Sequence, residues 1–244
     1  MPTVKSAKLS PLDELGADFF PPFTGFPKEG LVFLQKLKKN NRRDWFQPRK
    51  DQFDTLLKFP MQCLVATLGE KLRRDAPEFS YDPKKALFRI YRDTRFSKLK
   101  IPYKTNVGAS LDVKSDKPRG EQISFYMHIE PEGVFAGGGL YMLTPDQLKA
   151  VRASIIGDPE TYLEVVEDAA FKKMFKRIEG EKLKTAPKGI AKDHPMLEHL
   201  QHKQFFVSKP FTDAAIHKAK FADDLAHVFR TMLPLMRWLH HIAD

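Results

Sequence analysis

Cysteine is almost absent. Cys63 stands alone in 244 residues, so no internal disulfide can form, which fits a reducing compartment. Long apolar runs are missing too. No stretch reaches the roughly 18 apolar residues that would span a bilayer. The opening MPTVKSAKLSPLDELGADFF holds no apolar segment of signal-peptide type. The expectation is a cytoplasmic protein with no membrane partner. Gly137-Gly138-Gly139 fits neither the G-x-G-x-x-G nor the Walker pattern, and there is no G-x-S-x-G elbow or cysteine-nucleophile motif. His194, His199 and His202 follow no known metal-ligand spacing, so no metal site is expected. Nothing names a cofactor or an oligomeric state. Internal repeats, low-complexity segments, and RNP or helix-turn-helix patterns are lacking as well.

What is present is a folded composition with lopsided charge. A hydrophobic content of 42% and an aromatic content of 11% are too high for a disordered chain. The net charge of +10 lies wholly in one half. Residues 1–120 carry 25 basic and 14 acidic groups, against 16 and 17 in residues 121–244. Such a half suits an anionic small molecule, nucleic acid or an acidic partner.

Local patterns give the order of elements. Residues 1–22, with Pro11, Pro21 and Pro22, read as a flexible lead-in, and residues 23–244 as a single α+β domain. Leu31, Leu34 and Leu37 predict a helix over Lys28–Lys39. Phe53, Leu57, Met61, Leu64, Leu68 and Leu72 predict another from Pro48 to about Arg74, kinked or split at Pro60. Ala86–Tyr91, Asn106–Val113, Gln122–Glu130 and Val134–Met142 read as strands. The third alternates, with Phe125, Met127 and Ile129 on one face and Ser124, Tyr126, His128 and Glu130 on the other. Thr144-Pro145-Asp146-Gln147 and Asp158-Pro159-Glu160 start helices. A short helix over Pro195–His202 and a short extended piece at Gln204–Val207 follow. Thr212 reads as the cap of a last long helix, with a kink at Pro234. Helices, then strands, then helices make an α+β fold with a mainly antiparallel sheet packed against N-terminal and C-terminal helices.

The densest chemistry lies in Lys84–Lys104, KKALFRIYRDTRFSKLKIPYK. Eight basic side chains share it with one acid, Asp93, and with Phe88, Tyr91, Phe96 and Tyr103. Unbalanced charge at this density calls for neutralisation by acids from elsewhere or by an anionic ligand. Arginine forks match carboxylate and phosphate. Arg89, Arg92, Asp93, Arg95, Lys98 and Lys104 are therefore the candidate ligand-binding residues. His128 shares a strand face with Tyr126 and Glu130 and is the candidate acid or base. Gly138, in the triple glycine of the returning strand, is expected to leave open space over that face. The structural alternative is a web of arginines holding carboxylates and carbonyls.

Several runs together resemble a known family. They are Phe23-Thr24-Gly25-Phe26; Asn40-Asn41 with Trp45-Phe46; Phe88 through Ser97; Pro102-Tyr103-Lys104-Thr105; and Tyr126-Met127-His128-Ile129 with the triple glycine. The chain resembles the family catalogued as domain of unknown function 2461, from about Phe23 to the C-terminal helix. That resemblance implies a single cytoplasmic domain and no established activity, and it carries over no catalytic residue. Two readings of the residues stand. The first is a binding protein or enzyme for a small phosphate- or carboxylate-bearing ligand. The second is a non-enzymatic module that binds nucleic acid weakly and without sequence preference, or an acidic protein. Convergent, partly buried arginines would mark the first; spread and exposed ones the second.

Overall fold

The computed structural model describes residues 19–95, 101–115 and 122–243. Most of the expected lead-in and Lys98 lie outside them. Phe20, at the edge of that lead-in, is buried against the ring of Phe59 at 6.1 Å.

Helix α1 spans Lys28–Lys39 and buries Leu31, Leu34 and Leu37, as their spacing predicts. The next helical stretch is continuous but changes pitch. It runs as α2 (Arg43–Phe46), a 3-10 turn holding Pro48, α3 (Lys50–Phe53), a π-helical segment (Asp54–Lys58) and α4 (Phe59–Leu72). Pro60 explains the change. Its ring would clash with the carbonyl four residues back, and it has no N–H to offer. Widening the preceding turn to a π spacing, with Phe59 N–H donating to the Asp54 carbonyl, lets the helix pass through the proline.

Four antiparallel strands follow in sheet order β1 (Val107–Asp112), β2 (Ser124–Ile129), β3 (Phe135–Leu140) and β4 (Phe205–Pro210). The register pairs Ala109 with Met127 and Met127 with Ala136. β2 alternates between half-buried and buried. The long helix α9 (Phe221–Ala243) lies across the inner face, and Phe125 stacks on its Phe229 with ring centroids 4.5 Å apart. Between β3 and β4 the chain forms α5 (Pro145–Gly157), α6 (Pro159–Val166), α7 (Ala169–Phe175) and the single turn α8 (Leu197–Leu200). Thr144 closes a full capping box with Gln147, and Asp158 caps α6 through Thr161 N–H. No helix among the described residues is long and apolar enough to cross a membrane. The architecture is α+β, with helices at both ends of an antiparallel sheet.

Three local expectations need correction. Ala86–Tyr91 does not form a ladder; it touches the sheet through an isolated bridge at Leu87–Ala109, and a second bridge, Tyr91–Tyr103, joins it to the chain just before β1. Ala86 N–H, which a continued ladder would use, turns back to the Asp82 carbonyl at 2.9 Å. The piece expected over Gln204–Val207 is a full strand, β4, recruited by pairing with β3. Thr212 does not cap the last helix: its carbonyl receives Ala215 N–H in a turn, and α9 starts nine residues later at Phe221.

Candidate functional site

The outer face of the sheet carries a chain of hydrogen bonds centred on His128. Alternation along β2 sets Tyr126, His128 and Glu130 side by side on that face. The Tyr126 hydroxyl lies 3.0 Å from His128 Nδ1, and Asn106 Nδ2 lies 3.4 Å from the same nitrogen. Both have protons to donate, so the partners fit the tautomer in which Nδ1 accepts and Nε2 carries the hydrogen. Nε2 in turn lies 3.4 Å from Glu130 Oε2, and Thr105 Oγ1 donates to Glu130 Oε1 at 2.8 Å. Gly108, opposite His128 in the register, makes the reach of Tyr126 feasible: a Cβ there would sit 2.8 Å from the tyrosine hydroxyl. The ring of Phe135 stacks on His128 at 4.8 Å, and Phe88 meets Tyr126 edge-on at 5.8 Å.

Burial sets the protonation of this chain. It lowers the His128 pKa from its ordinary value, and Glu130 opposes that shift without reversing it. It also pushes the Tyr126 hydroxyl up to about 12, so this group stays a neutral donor. The arrangement can hold His128 neutral, oriented, and able to exchange a proton with Glu130.

Among its described residues, the basic run meets this face through Phe88 and Lys104. Lys104 is half-buried, its ammonium 5.1 Å from the centroid of the Phe88 ring. Its pKa is lowered first by burial and then by the nearby charge of Arg89. Arg89, Arg92, Asp93 and Arg95 are exposed. Arg95 grips Asp93 with two parallel bonds, Nε to Oδ1 at 3.0 Å and Nη2 to Oδ2 at 2.7 Å, and its backbone N–H adds a third at 3.1 Å. The Arg95 fork holds the Asp93 carboxyl well below the usual carboxylate range. Among the described residues, Arg95 is thus held by the run's own acid, in the open.

The base of the run is anchored by two of the sequence motifs noted above. Asn41 pairs with the backbone of Tyr103 from both sides, Oδ1 accepting from its N–H and Nδ2 donating to its carbonyl, each at 3.0 Å. The buried Tyr103 ring lies 4.2 Å from that of Phe46. The amide of Asn41 imitates a strand neighbour where no strand exists, and so fixes where Lys104 leaves the core.

Gly138 does not belong to the outer face. It is paired with Phe125 and faces α9, where a Cβ would sit 2.9 Å from Met232 Sδ and 3.1 Å from Met236 Sδ. It makes room for a helix, and opens nothing beside His128. Asn106 and Phe135 were not singled out from sequence, and Phe88 and Thr105 were named there only as members of motifs, with no part in the site. The β1–β2 register could have found Asn106 and Thr105 opposite the His128–Glu130 end, but the long polar connection between those strands leaves that register open in sequence. Among the described residues, no group of three or more His, Cys, Asp or Glu side chains could hold a metal ion.

No curated protein and no solved structure matches this chain. The family model described as "Conserved hypothetical protein (DUF2461)" matches residues 29–238, which include α1 from its second residue, the whole sheet and α9 as far as Trp238, and the chain belongs to that family.

Proposed function

We propose that the outer face of the sheet binds a small phosphate- or carboxylate-bearing ligand, with Lys104 and Arg89 neutralising it beside His128. One observation carries this reading. Lys104 is half-buried next to a second cation, and among the described residues it has no carboxylate within ion-pair distance. Two like charges brought together this way disfavour each other, and an anion between them would relieve that. Arg92 and Arg95 stand farther out and would act by field rather than contact. His128 would then exchange a proton with the ligand or with Glu130.

The exposure of Arg92, Arg95 and Tyr91 favours a second reading, in which single-stranded nucleic acid lies along the rim. A thermal-shift screen of phosphate, nucleotides and carboxylates tests the first. An anion at 100 times its Kd should stabilise the fold by about 2.7 kcal/mol. Lys104→Met and Arg89→Ala should remove most of the rise, while His128→Ala should keep it. If no anion shifts the parent, the small-ligand reading fails. Titration of single-stranded oligonucleotides then decides the second, whose log-log salt slope should be about −0.7 per phosphate contacted.

A further inference from the structure

Two stretches concentrate positive charge, and the fold sets them side by side. Residues 36–44, KLKKNNRRD, carry five cations and one acid; residues 89–95, RIYRDTR, carry three cations and one acid. Each acid is held by an arginine of its own stretch, Asp44 by Arg42 at 3.0 Å and Asp93 by Arg95 at 2.7 Å. Lys36, Lys38, Lys39, Arg43 and Arg92 are exposed, and among the described residues none has a carboxylate within ion-pair distance. The lysines close the last turn of α1 and so answer its dipole. Arg43 opens α2, where the dipole disfavours a cation, so its charge has no such local reason.

Tyr103 lies between the two stretches. On one side the Asn41 amide takes both its N–H and its carbonyl. On the other it bridges Tyr91, with Arg92 N–H on the Pro102 carbonyl at 2.9 Å and Lys104 N–H on the Ile90 carbonyl at 2.8 Å. One strand spacing on each side leaves Asn41 and Tyr91 roughly 10 Å apart. The screening length in physiological salt is about 8 Å, so both stretches act on one anionic chain. Tyr91 is 42% exposed, its ring 5.4 Å from that of Tyr103. An exposed ring among unpaired cations suits a base stacked between phosphate contacts. A duplex would offer Tyr91 no free base face, and an acidic protein would gain from the charges but not from the ring. We propose that the α1–α2 junction and the Tyr91–Arg95 rim form one surface for single-stranded nucleic acid, with phosphates on Lys39, Arg43 and Arg92 and a base on Tyr91. This rests on the second reading of the rim and adds to it the junction that Asn41 brings alongside.

Fluorescence anisotropy of a labelled oligothymidylate with the full chain, across a salt series, tests it. The parent should bind with steep salt dependence. Lys39→Ala, Arg43→Ala and Arg92→Ala should each flatten the log-log slope by about 0.7. Tyr91→Ala should weaken binding about tenfold and leave the slope unchanged. Poly-glutamate and duplex DNA should compete poorly. If Arg92→Ala flattens the slope while Lys39→Ala and Arg43→Ala do not, the joint surface is overturned and the rim reading stands. No binding by the parent would end both. Equal competition by poly-glutamate would overturn the proposal in favour of an acidic partner, and equal competition by duplex DNA would overturn the role of Tyr91 and the single-stranded occupant.

Discussion

On the inner face of the sheet, Phe125, Met127 and Ile129 are buried, Phe125 against Phe229 of α9. One residue along, Tyr126, His128 and Glu130 stand half-buried on the other side. The strand is the same and the backbone contributes equally to both faces. On the inner face, dispersion and water exclusion act on rings at 4.5 Å, as between Phe125 and both Phe79 and Phe229. The outer face is held by hydrogen bonds of 2.8 to 3.4 Å between groups that water could also serve. The inner face should therefore carry stability, and the outer face should tolerate change in exchange for chemistry.

The largest expected effect tests that division directly. Phe125→Ala should destabilise by about 3–5 kcal/mol, since it leaves a cavity in a fully buried position. Tyr126→Phe, one residue away, should cost only about 1 kcal/mol by removing a single bond to His128. Urea denaturation of both variants checks the pair. Comparable losses would mean that the outer face is as much a part of the core as the inner one.

Two histidines sharpen the contrast. His202 is buried and has no partner at Nδ1 among the described residues, whereas both ring nitrogens of His128 are engaged. Burial, aided by the charges of Lys182 and His199, lowers the His202 pKa to about 4. The unfolded chain takes up that proton near 6.5, so the unfolded state gains protons first as pH falls. Stability should be complete above about 6.5, decline by on the order of 3 kcal/mol towards pH 4, and then level off as regards this group. Denaturation midpoints across that range, for the parent and His202→Gln, check this; an unchanged slope in the variant would assign the decline to other groups. On the outer face, Glu130→Gln should lower the His128 pKa further, because the carboxylate that opposes burial is gone. NMR titration of the imidazole reads this, and a rise would contradict the assigned role of Glu130.

The smallest effect is expected at Asp93. Its grip on Arg95 is solvent-exposed, so Asp93→Ala should leave the denaturation midpoint nearly unchanged. A large loss would show that the run is a structural web after all.

Local chemistry made much of this protein legible in advance. The period of Leu31, Leu34 and Leu37 sufficed for α1, and Thr144 with Gln147 for the start of α5, because these depend on neighbours within one turn. Strict alternation named both faces of β2 and placed His128 beside Tyr126 and Glu130. The motifs identified the family. What remained was non-local. Thr212 has the chemistry of a cap but sits in a turn ahead of α9, since cap residues also serve turns.

The sequence by itself determined the α+β order, the inner and outer sets of β2 and the concentration of positive charge in one half. Each follows from side-chain period or composition, which act at short range. Only the tertiary structure decided that Gly138 lies under Met232, that Asn106 and Thr105 complete the His128 chain, and that Asn41 anchors Tyr103 across 62 residues of sequence. It also decided that Ala86–Tyr91 stops short of a ladder. These outcomes depend on strand register and on which distant backbone groups find partners, and neither is encoded within any single stretch of the chain.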